Sequence, residues 1–287
     1  MSNQITTAFV EQHSNNVQML SQQKGSLLRG SVDVETVVGN NAFFEQVGSA
    51  TAQKRVSRHS DTPQLDTPHA KRRVSLVDYE YADLIDQQDK VRTLIDPTSA
   101  YANAAAFALG RSMDDEIIAA ASGNAFTGAT GSTSTALGAG QAITESGTDG
   151  LTIAKLRTAK EKFDLASVDP SLPRFLVVGP RQVSDLLGTT SVTSSDFNTV
   201  KALVNGEVDT FMGFKFITST RLAIASSKRL CLAFAGDGIK LALGKDVMTR
   251  IDERSDKGYS TQVYVCMSIG ATRMEESKVV SIQAHEA

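Results

Sequence analysis

The sequence predicts an α+β fold, in which one long helix and several long strands accompany a compact unit of alternating helices and strands. Residues 97–122 show alanine-rich helical periodicity, residues 174–178 form the continuous apolar run of a buried strand, and residues 263–269 alternate apolar and polar side chains. A long helix, a compact mixed unit and a strand-rich final segment together favour the α+β class. A length of 287 residues allows one large domain or two closely joined ones.

The first 48 residues are rich in Gln, Asn and Ser and carry only a weak amphipathic pattern. They hold too few apolar side chains to pack a core of their own. We expect an extended arm that becomes ordered against another surface; a disordered tail is the alternative.

Residues 49–80 predict a long hairpin that projects from the body. Two strand-like pieces, Ala52–Arg58 and Arg72–Asp78, flank a polar centre in which Pro63 and Pro68 supply turn chemistry. A hairpin this polar gains nothing by folding onto a core, so we expect it to contact a partner, although a merely solvated charged surface is the alternative. The charged residues are basic in the hairpin and acidic after it: Lys54, Arg55, Arg58, Lys71, Arg72 and Arg73, then Asp78, Glu80, Asp83, Asp86 and Asp89.

A single long helix is predicted over residues 97–122, about 39 Å at 1.5 Å per residue. Asp96 suits the N-cap and Pro97 the first turn, and the Gly-containing segment 122–124 ends the helix. Residues 123–150 are predicted to be an exposed loop. The apolar face of the helix comprises Ala102, Ala106, Leu109, Met113, Ile117 and Ala120.

Residues 151–235 alternate helix and strand. Thr152 is expected to cap the first helix, and Gly188 to end a short second one that begins after Gly179. The apolar faces of these helices are Ile153, Leu156, Ala159 and Phe163, then Val183, Leu186 and Leu187. The strands are predicted at 174–178, Phe214–Thr218 and Leu230–Ala235.

Strands dominate residues 238–285. A turn at 256–258 joins the segment Val247–Arg254 to a strand with one strictly alternating apolar face. That face comprises Val263, Val265, Met267 and Ile269, and Val279, Val280 and Ile282 form a last strand. Cys231 and Cys266 lie in strand-like runs, which favours buried free thiols over a disulfide.

Composition argues against several classes of function. A net charge of −3 and a pI of about 5.9 differ from the strongly basic balance of dedicated nucleic-acid binders. The absence of tryptophan disfavours stacking platforms for sugars or single strands. The sequence contains no run of about eighteen apolar residues, so no membrane span is predicted. The first residues lack a signal-peptide pattern, so we expect folding in the cytoplasm.

No catalytic, cofactor or metal site is predicted. The four histidines, at positions 13, 59, 69 and 285, have no zinc-ligand spacing, and the glycine-rich stretches lack the Gly-Lys-Ser/Thr end of a phosphate loop. Asp114, Asp115 and Glu116 are adjacent on the long helix, where they diverge in direction. A solvated face is therefore favoured there over a metal cluster, and the sequence does not predict an enzyme.

Four local segments carry a resemblance to a known family. They are residues 22–26 (QQKGS), 58–69 (RHSDTPQLDTPH), 82–86 with 96–101 (ADLID, DPTSAY), and 264–280 with its GATR at 270–273. Together with the order of elements, they resemble the Hong Kong 97-type major capsid proteins of tailed bacteriophages over nearly the whole chain.

The resemblance implies a Hong Kong 97-like capsid fold with an N-terminal arm at 1–48 and an extended hairpin loop at 49–80. It implies a peripheral domain built from 81–150, which holds the long spine helix, and from the closing strands of 241–287. A mixed α+β axial domain at 151–240 would meet its copies at five-fold and six-fold vertices.

The partners follow from the same resemblance: pentamers and hexamers of the chain in a shell, a portal protein, and packaged double-stranded DNA bound without specific recognition. Many relatives carry a removable scaffolding segment before the arm; this chain starts with the arm, so we expect a separate scaffolding protein. We expect neither cofactor nor membrane.

Contacts between subunits are expected where the basic hairpin meets acidic surface of a neighbour. Reversing Arg72 and Arg73 to Glu is expected to leave a folded subunit that fails to assemble. The candidate contact residues are Lys54, Arg55, Arg58, His59, Asp61, Asp66, His69, Lys71, Arg72, Arg73, Asp83, Asp86, Asp89, Asp114, Asp115 and Glu116.

Two other functions fit parts of the sequence. An encapsulin-type compartment shares the fold and would hold protein cargo, although the Gln/Asn-rich arm and long loop favour a phage. A soluble hydrolase would need clustered His, Asp or Ser in the compact unit, and residues 151–235 contain no histidine.

Overall fold

The computed structural model describes residues 21–55, 57–58, 61–62, 64–86, 98–144, 148–188 and 210–286. In these ranges, three sheets and three α-helices surround a large hydrophobic core and a smaller second one. The helices are α1 (Thr98–Ser122), α2 (Ile153–Leu165) and α3 (Pro180–Gly188). The strands are β1 (Asp33–Thr36), β2 (Asn41–Val47), β3 (His69–Ser75), β4 (Val77–Ile85), β5 (Ala125–Thr127), β6 (Thr133–Thr135), β7 (Ala142–Ile143), β8 (Arg174–Val178), β9 (Thr210–Phe211), β10 (Phe214–Thr218), β11 (Ile224–Ala225), β12 (Lys228–Ala235), β13 (Ile239–Arg254), β14 (Ser260–Arg273) and β15 (Val279–His285).

Sheet A, with strand order β1-β13-β14-β4, supports the long helix α1. Its centre is the antiparallel hairpin of β13 and β14, in which β14 alone has 14 residues and spans about 46 Å. β4 pairs antiparallel with β14 at one edge, and β1 runs parallel to β13 at the other. This sheet and α1 form the elongated part of the molecule.

The contact between α1 and sheet A follows the sequence pattern closely. Val263, Val265, Met267 and Ile269 are all buried, which confirms the alternation predicted for β14. The buried stripe of α1 includes the predicted Leu109, Met113 and Ile117, but its small members are Ala105 and Ala121 rather than Ala106 and Ala120. These buried residues are spaced by four throughout, so they follow an i+4 row, which is inclined to the helix axis.

Sheet C has seven strands and belongs to the compact α+β unit. Its order is β7-β15-β12-β8-β10-β9, with β11 paired to β12, and β8 runs parallel to β10 in the middle. Thr152 caps α2 as predicted, since its hydroxyl accepts from the Lys155 backbone N–H at 3.4 Å. Leu156, Ala159 and Phe163 are buried. The predicted helices and strands of this unit are therefore confirmed in the described residues.

Sheet B, with order β2-β3-β5-β6, is a small sheet whose inner face packs on the body. Phe44 and Val74 are buried there with Val37 and Ala242, which form the second core. Gly270 of β14 lies so close that an added Cβ would meet the Ser75 carbonyl oxygen at 2.4 Å. The base of the hairpin is thus fixed to sheet A by close backbone packing.

Two predictions about these elements are wrong. The first hairpin strand is β2, not Ala52–Arg58, because the apolar side chains that anchor a strand lie at Phe43 and Phe44. Residues 123–150 are not only loop, since β5, β6 and β7 lie there. The predicted last strand is present as β15, which pairs with β12 in sheet C.

Other predictions fall on residues outside the described ranges. These are most of the N-terminal arm, the Asp96–Pro97 helix start, and the sites His13, His59 and Asp89. The side chain of Leu187 also lies outside the described part of the structure.

Candidate assembly interface

A long exposed loop connects β2 and β3. Every described residue from 47 to 71 is exposed, and none between the two strands belongs to a helix or strand. Loops of this length without secondary structure are uncommon in compact domains and are usually functional or linkers. The exposed set includes the predicted contact residues Lys54, Arg55, Arg58, Asp61, Asp66, His69 and Lys71.

Arg72 and Arg73 point to opposite faces of sheet B, as neighbours on a strand do. Arg72 is only 6% exposed, and its guanidinium donates from Nε to the Met274 carbonyl at 2.9 Å and from one Nη to both Glu276 oxygens at 2.7 Å. The expectation that Arg72 faces a neighbouring subunit is therefore wrong: its charge is compensated inside its own chain.

Arg73 lies on the outer face of sheet B. Its guanidinium stacks over the Phe126 ring, with 5.0 Å between Cζ and the ring centroid. Gly131 packs against its stem so closely that an added Cβ would meet the Arg73 Cβ at 2.6 Å. Within the described chain, Arg73 has no ion-pair partner. It remains available to an outside anion.

A second buried arginine joins α1 to the end of β14. Arg273 is fully buried and donates to the carbonyl oxygens of Ala121, Gly123 and Thr135 at 3.1, 2.7 and 3.0 Å. The first two carbonyls lie at the C-terminal end of α1, where the helix dipole favours a cation. Burial lowers the pKa of Arg273, and Glu276 lies 3.7 Å away. Arg72 and Arg273 thus share Glu276 at the junction of sheet B with the body.

The predicted acidic residues are divided between the two sides of β4. Asp78 and Glu80 are exposed, and Glu80 accepts from the Tyr264 hydroxyl at 3.2 Å. Asp83 points inward and accepts from the Tyr81 hydroxyl at 3.3 Å, while Asp86 accepts from Ser260 Oγ at 2.5 Å. Asp86 remains exposed, so Asp83 is the one described member of the predicted acidic strip that turns inward.

The acidic triplet on α1 has one buried member and two partly exposed ones. Asp114 is fully buried, Asp115 forms an ion pair with Arg221, and Glu116 accepts from the Tyr79 hydroxyl. Burial and the hydrogen bond to Glu116 raise the pKa of Tyr79 to about 12. The predicted solvated face is therefore wrong for Asp114, whereas Asp115 and Glu116 stay partly exposed.

Asp114 holds the end of the arm on α1. Its Oδ1 accepts from Ser26 Oγ at 2.5 Å and the Leu28 N–H at 3.1 Å, and its Oδ2 accepts from Gln23 Nε2 at 2.5 Å and the Leu27 N–H at 3.1 Å. Four donors satisfy a buried carboxylate without a cation. We name this group of residues the arm anchor.

Glycine allows the close approach at the arm anchor. An added Cβ at Gly110 would meet the Gly25 carbonyl carbon at 2.6 Å, and Gly25 itself has φ +75°. Arg111 donates to the Gln22 side chain at 3.1 Å and to the Gln23 carbonyl at 3.2 Å. Residues 22–26, the arm segment that resembles the capsid family, are thus the residues that dock on α1.

No cluster of three His, Cys, Asp or Glu residues that could hold a metal ion occurs among the described residues. No described helix is long and apolar enough to cross a membrane. The thiols of Cys231 and Cys266 are free.

Solved structures of phage capsids share this fold. The capsid of cyanophage P-SCSP1u matches with a TM-score of 0.74 at 18% identity and covers 99% of this chain and 95% of its own. The capsid of Ralstonia phage GP4 has a TM-score of 0.77 at 10% identity, with 98% and 96% covered. Mycobacterium phage Che8 gives 0.70 at 16%, with 96% and 97% covered. The fold is therefore the predicted Hong Kong 97-type α+β fold.

Comparison of sequences gives the family. Among curated proteins, no sequence matches this chain significantly. The model of the family described as "Phage capsid protein" matches residues 5–286, which is nearly the whole length. The match favours the phage assignment over the encapsulin-type and hydrolase alternatives. The chain belongs to the phage capsid protein family, and its role is that of a major capsid protein of the virion.

Proposed function

We propose that the chain assembles as pentamers and hexamers into the icosahedral head of a tailed phage around double-stranded DNA. The observation that carries this proposal is the exposure of every described residue from 47 to 71. A segment of this length that buries nothing in its own subunit gains stability only by covering another.

The proposed domains of the subunit keep the boundaries predicted from the sequence. The arm (1–48) and extended loop (49–80) reach neighbours, and residues 81–150 with 241–287 form a peripheral domain. Residues 151–240 form an axial domain at the vertices. The sheets support this division only in part, because β15 lies in sheet C with the strands of the proposed axial domain.

Assembly of this kind depends on many weak contacts. One exposed ion pair contributes roughly 0–1 kcal/mol. A loop and an arm from each subunit multiply such contacts around a closed shell, and linked contacts raise the effective concentration of each next one. Lys54, Arg55 and Arg58 are the loop residues that we expect to meet acidic surface.

The other proposed partners are a portal protein, a separate scaffolding protein and the packaged DNA. A net charge of −3 suits a lining to which DNA does not adhere. Assembly is proposed to take place in the host cytoplasm.

The loop can be tested by replacing residues 50–66 with a short Asn-Gly turn between β2 and β3. We expect a folded subunit that forms no shells in sedimentation and negative-stain microscopy, whereas the unaltered chain forms them. A second variant keeps the loop length but replaces the same residues with Gly and Ser. It distinguishes a need for the loop's side chains from a need for its length. Normal shells from the shortened variant would contradict the proposed role of the loop.

A further inference from the structure

The outer face of sheet B carries an aromatic row that its own chain does not cover. The strand register places Phe43, Arg73 and Phe126 directly opposite one another across β2, β3 and β5. Phe43 is 43% exposed and Phe126 is 39% exposed. Exposed aromatic rings beside an arginine are typical of the centre of a protein interface.

The arginine in this row is held in place before any partner arrives. Its stem lies under Gly131, its guanidinium lies over Phe126, and its Nε is buried without a hydrogen-bond partner. An ordered guanidinium loses little conformational freedom when it binds a carboxylate.

Basic side chains extend the row along β3 at intervals of two residues. His69, Lys71 and Arg73 therefore point the same way, with about 7 Å between successive members. Lys71 lies 3.2 Å from Glu45, but both side chains are largely exposed, so this pair is weak and can be exchanged.

A complementary acidic row lies on β4. Asp78 and Glu80 are both exposed, two residues apart, on the edge strand of sheet A. Asp78 has no partner within the described part of the chain, and Glu80 accepts only the 3.2 Å bond from Tyr264. Val77 and Leu84 expose apolar surface beside them.

We propose that the outer face of sheet B docks on β4 of a second copy, so that Arg73 and Lys71 meet the carboxylates of Asp78 and Glu80. The two rows have the same two-residue period and opposite charge, and described residues show no ion pair between them within one subunit. This proposal rests on the proposed function, and it assigns the contact to named residues of β3 and β4, which the replacement of residues 50–66 leaves unchanged.

The contact joins two different patches, so it is heterologous. Each copy uses its sheet B on one neighbour and its β4 on another, which continues around a ring until the ring closes. Phe43 and Phe126 supply the apolar area that desolvates the charges.

A charge-exchange experiment tests the pairing. One variant carries Lys71→Glu and Arg73→Glu, a second carries Asp78→Lys and Glu80→Lys, and a third carries all four changes. Circular dichroism and thermal melting establish that each is folded, and Arg157→Glu on the exposed side of α2 is the matched charge-reversal control. The readout is the assembled fraction in sedimentation velocity and electron microscopy.

We expect each double variant to lower the assembled fraction at least tenfold and the fourfold variant to restore it. If both double variants assemble like the unaltered chain, the pairing is wrong while the shell function stands. If the fourfold variant fails to recover, the two rows do not face each other and the pairing is again wrong. An unaltered chain that stays monomeric overturns the shell function and the pairing together.

Discussion

The two faces of sheet B place nearly identical residues in opposite environments. Phe44 and Arg72 point inward, where one packs in the second core and the other binds Glu276. Phe43 and Arg73 point outward, where the ring is exposed and the guanidinium has no carboxylate partner within the described chain. A shift of one residue separates a side chain that stabilises the subunit from one that is free to bind another.

The largest effect expected from this contrast is on folding stability. Arg72→Ala removes both bonds to Glu276 and leaves that carboxylate with Arg273 at 3.7 Å as its remaining cation among the described residues, so we expect the free energy of unfolding to fall by about 3–4 kcal/mol. Arg73→Ala removes only a stacked cation and should cost about 0.5–1 kcal/mol. Urea unfolding of the two variants measures the difference. Equal losses would mean that the two faces are not distinct.

Because Arg72 is bound inside its own subunit, the reversal of both Arg72 and Arg73 to Glu affects folding as well as assembly. A chain with both Arg72 and Arg73 changed to Glu would fail to assemble because its hairpin base is displaced, not because a contact is lost. Only Arg73 reports on assembly.

The same contrast recurs on α1 between Asp114 and Asp115. Asp114→Asn keeps one acceptor but turns an NH2 group toward donors of the arm, and we expect a loss of about 2–4 kcal/mol from unsatisfied buried groups. Asp115→Asn weakens a half-exposed pair with Arg221 and should cost less than about 1 kcal/mol.

Limited trypsin digestion separates loss of the arm anchor from general unfolding. Lys24 and Arg29 lie within or beside the anchor, so Asp114→Asn should expose both to cleavage while the rest of the subunit stays intact. Asp115→Asn is the control and should be cut at the unaltered rate. Unchanged cleavage in Asp114→Asn would show that the carboxylate does not hold the arm.

A smaller effect of pH is expected where the last strand ends. Arg229 donates to both oxygens of Glu286, Gln182 donates to one at 2.9 Å, and these bonds lower the pKa of Glu286 to about 2. The folded pKa lies below the unfolded value, so the contribution is complete above about pH 4.5 and is lost as the pH falls toward 2. After screening by solvent it amounts to roughly 1 kcal/mol.

The test compares this inward pair with an outward one. The exposed pair of Arg254 with Asp256 also lowers a carboxyl pKa to about 2, yet it holds only a turn. Thermal melts between pH 2 and 6 should show a flatter profile in Glu286→Gln and a smaller change in Asp256→Asn, because solvent screens the exposed pair. A Glu286→Gln profile that overlays that of the unaltered chain would contradict the assignment.

The sequence predicted what periodicity and capping determine. The α+β class, the long helix, the Thr152 cap and the alternating face of β14 all follow from local residue patterns. The first hairpin strand was missed because Phe43 and Phe44 lie in a segment otherwise read as arm, although two adjacent aromatic residues were a usable signal.

The interface residues were harder to predict because a charged residue type does not reveal its partner. Asp114 and Arg273 look like surface residues in the sequence, and only tertiary packing shows that backbone groups of distant segments satisfy them. The pairing of β15 with β12 is equally nonlocal. Phe126 was hidden in a segment read as loop because its strand has only three residues.

The smallest expected effect distinguishes an inward from an outward cysteine. Burial raises the pKa of Cys231 to about 12, so its thiol stays protonated at pH 8, whereas the thiolate is the reactive form. Cys266 is half-buried on the opposite face of β14 from the core side chains. A thiol reagent should therefore label one site in the native protein and two in urea, and Cys266→Ser should remove the native signal. Labelling of Cys231 in the native Cys266→Ser variant would mean that the segments covering this fully buried side chain open to solvent without global unfolding.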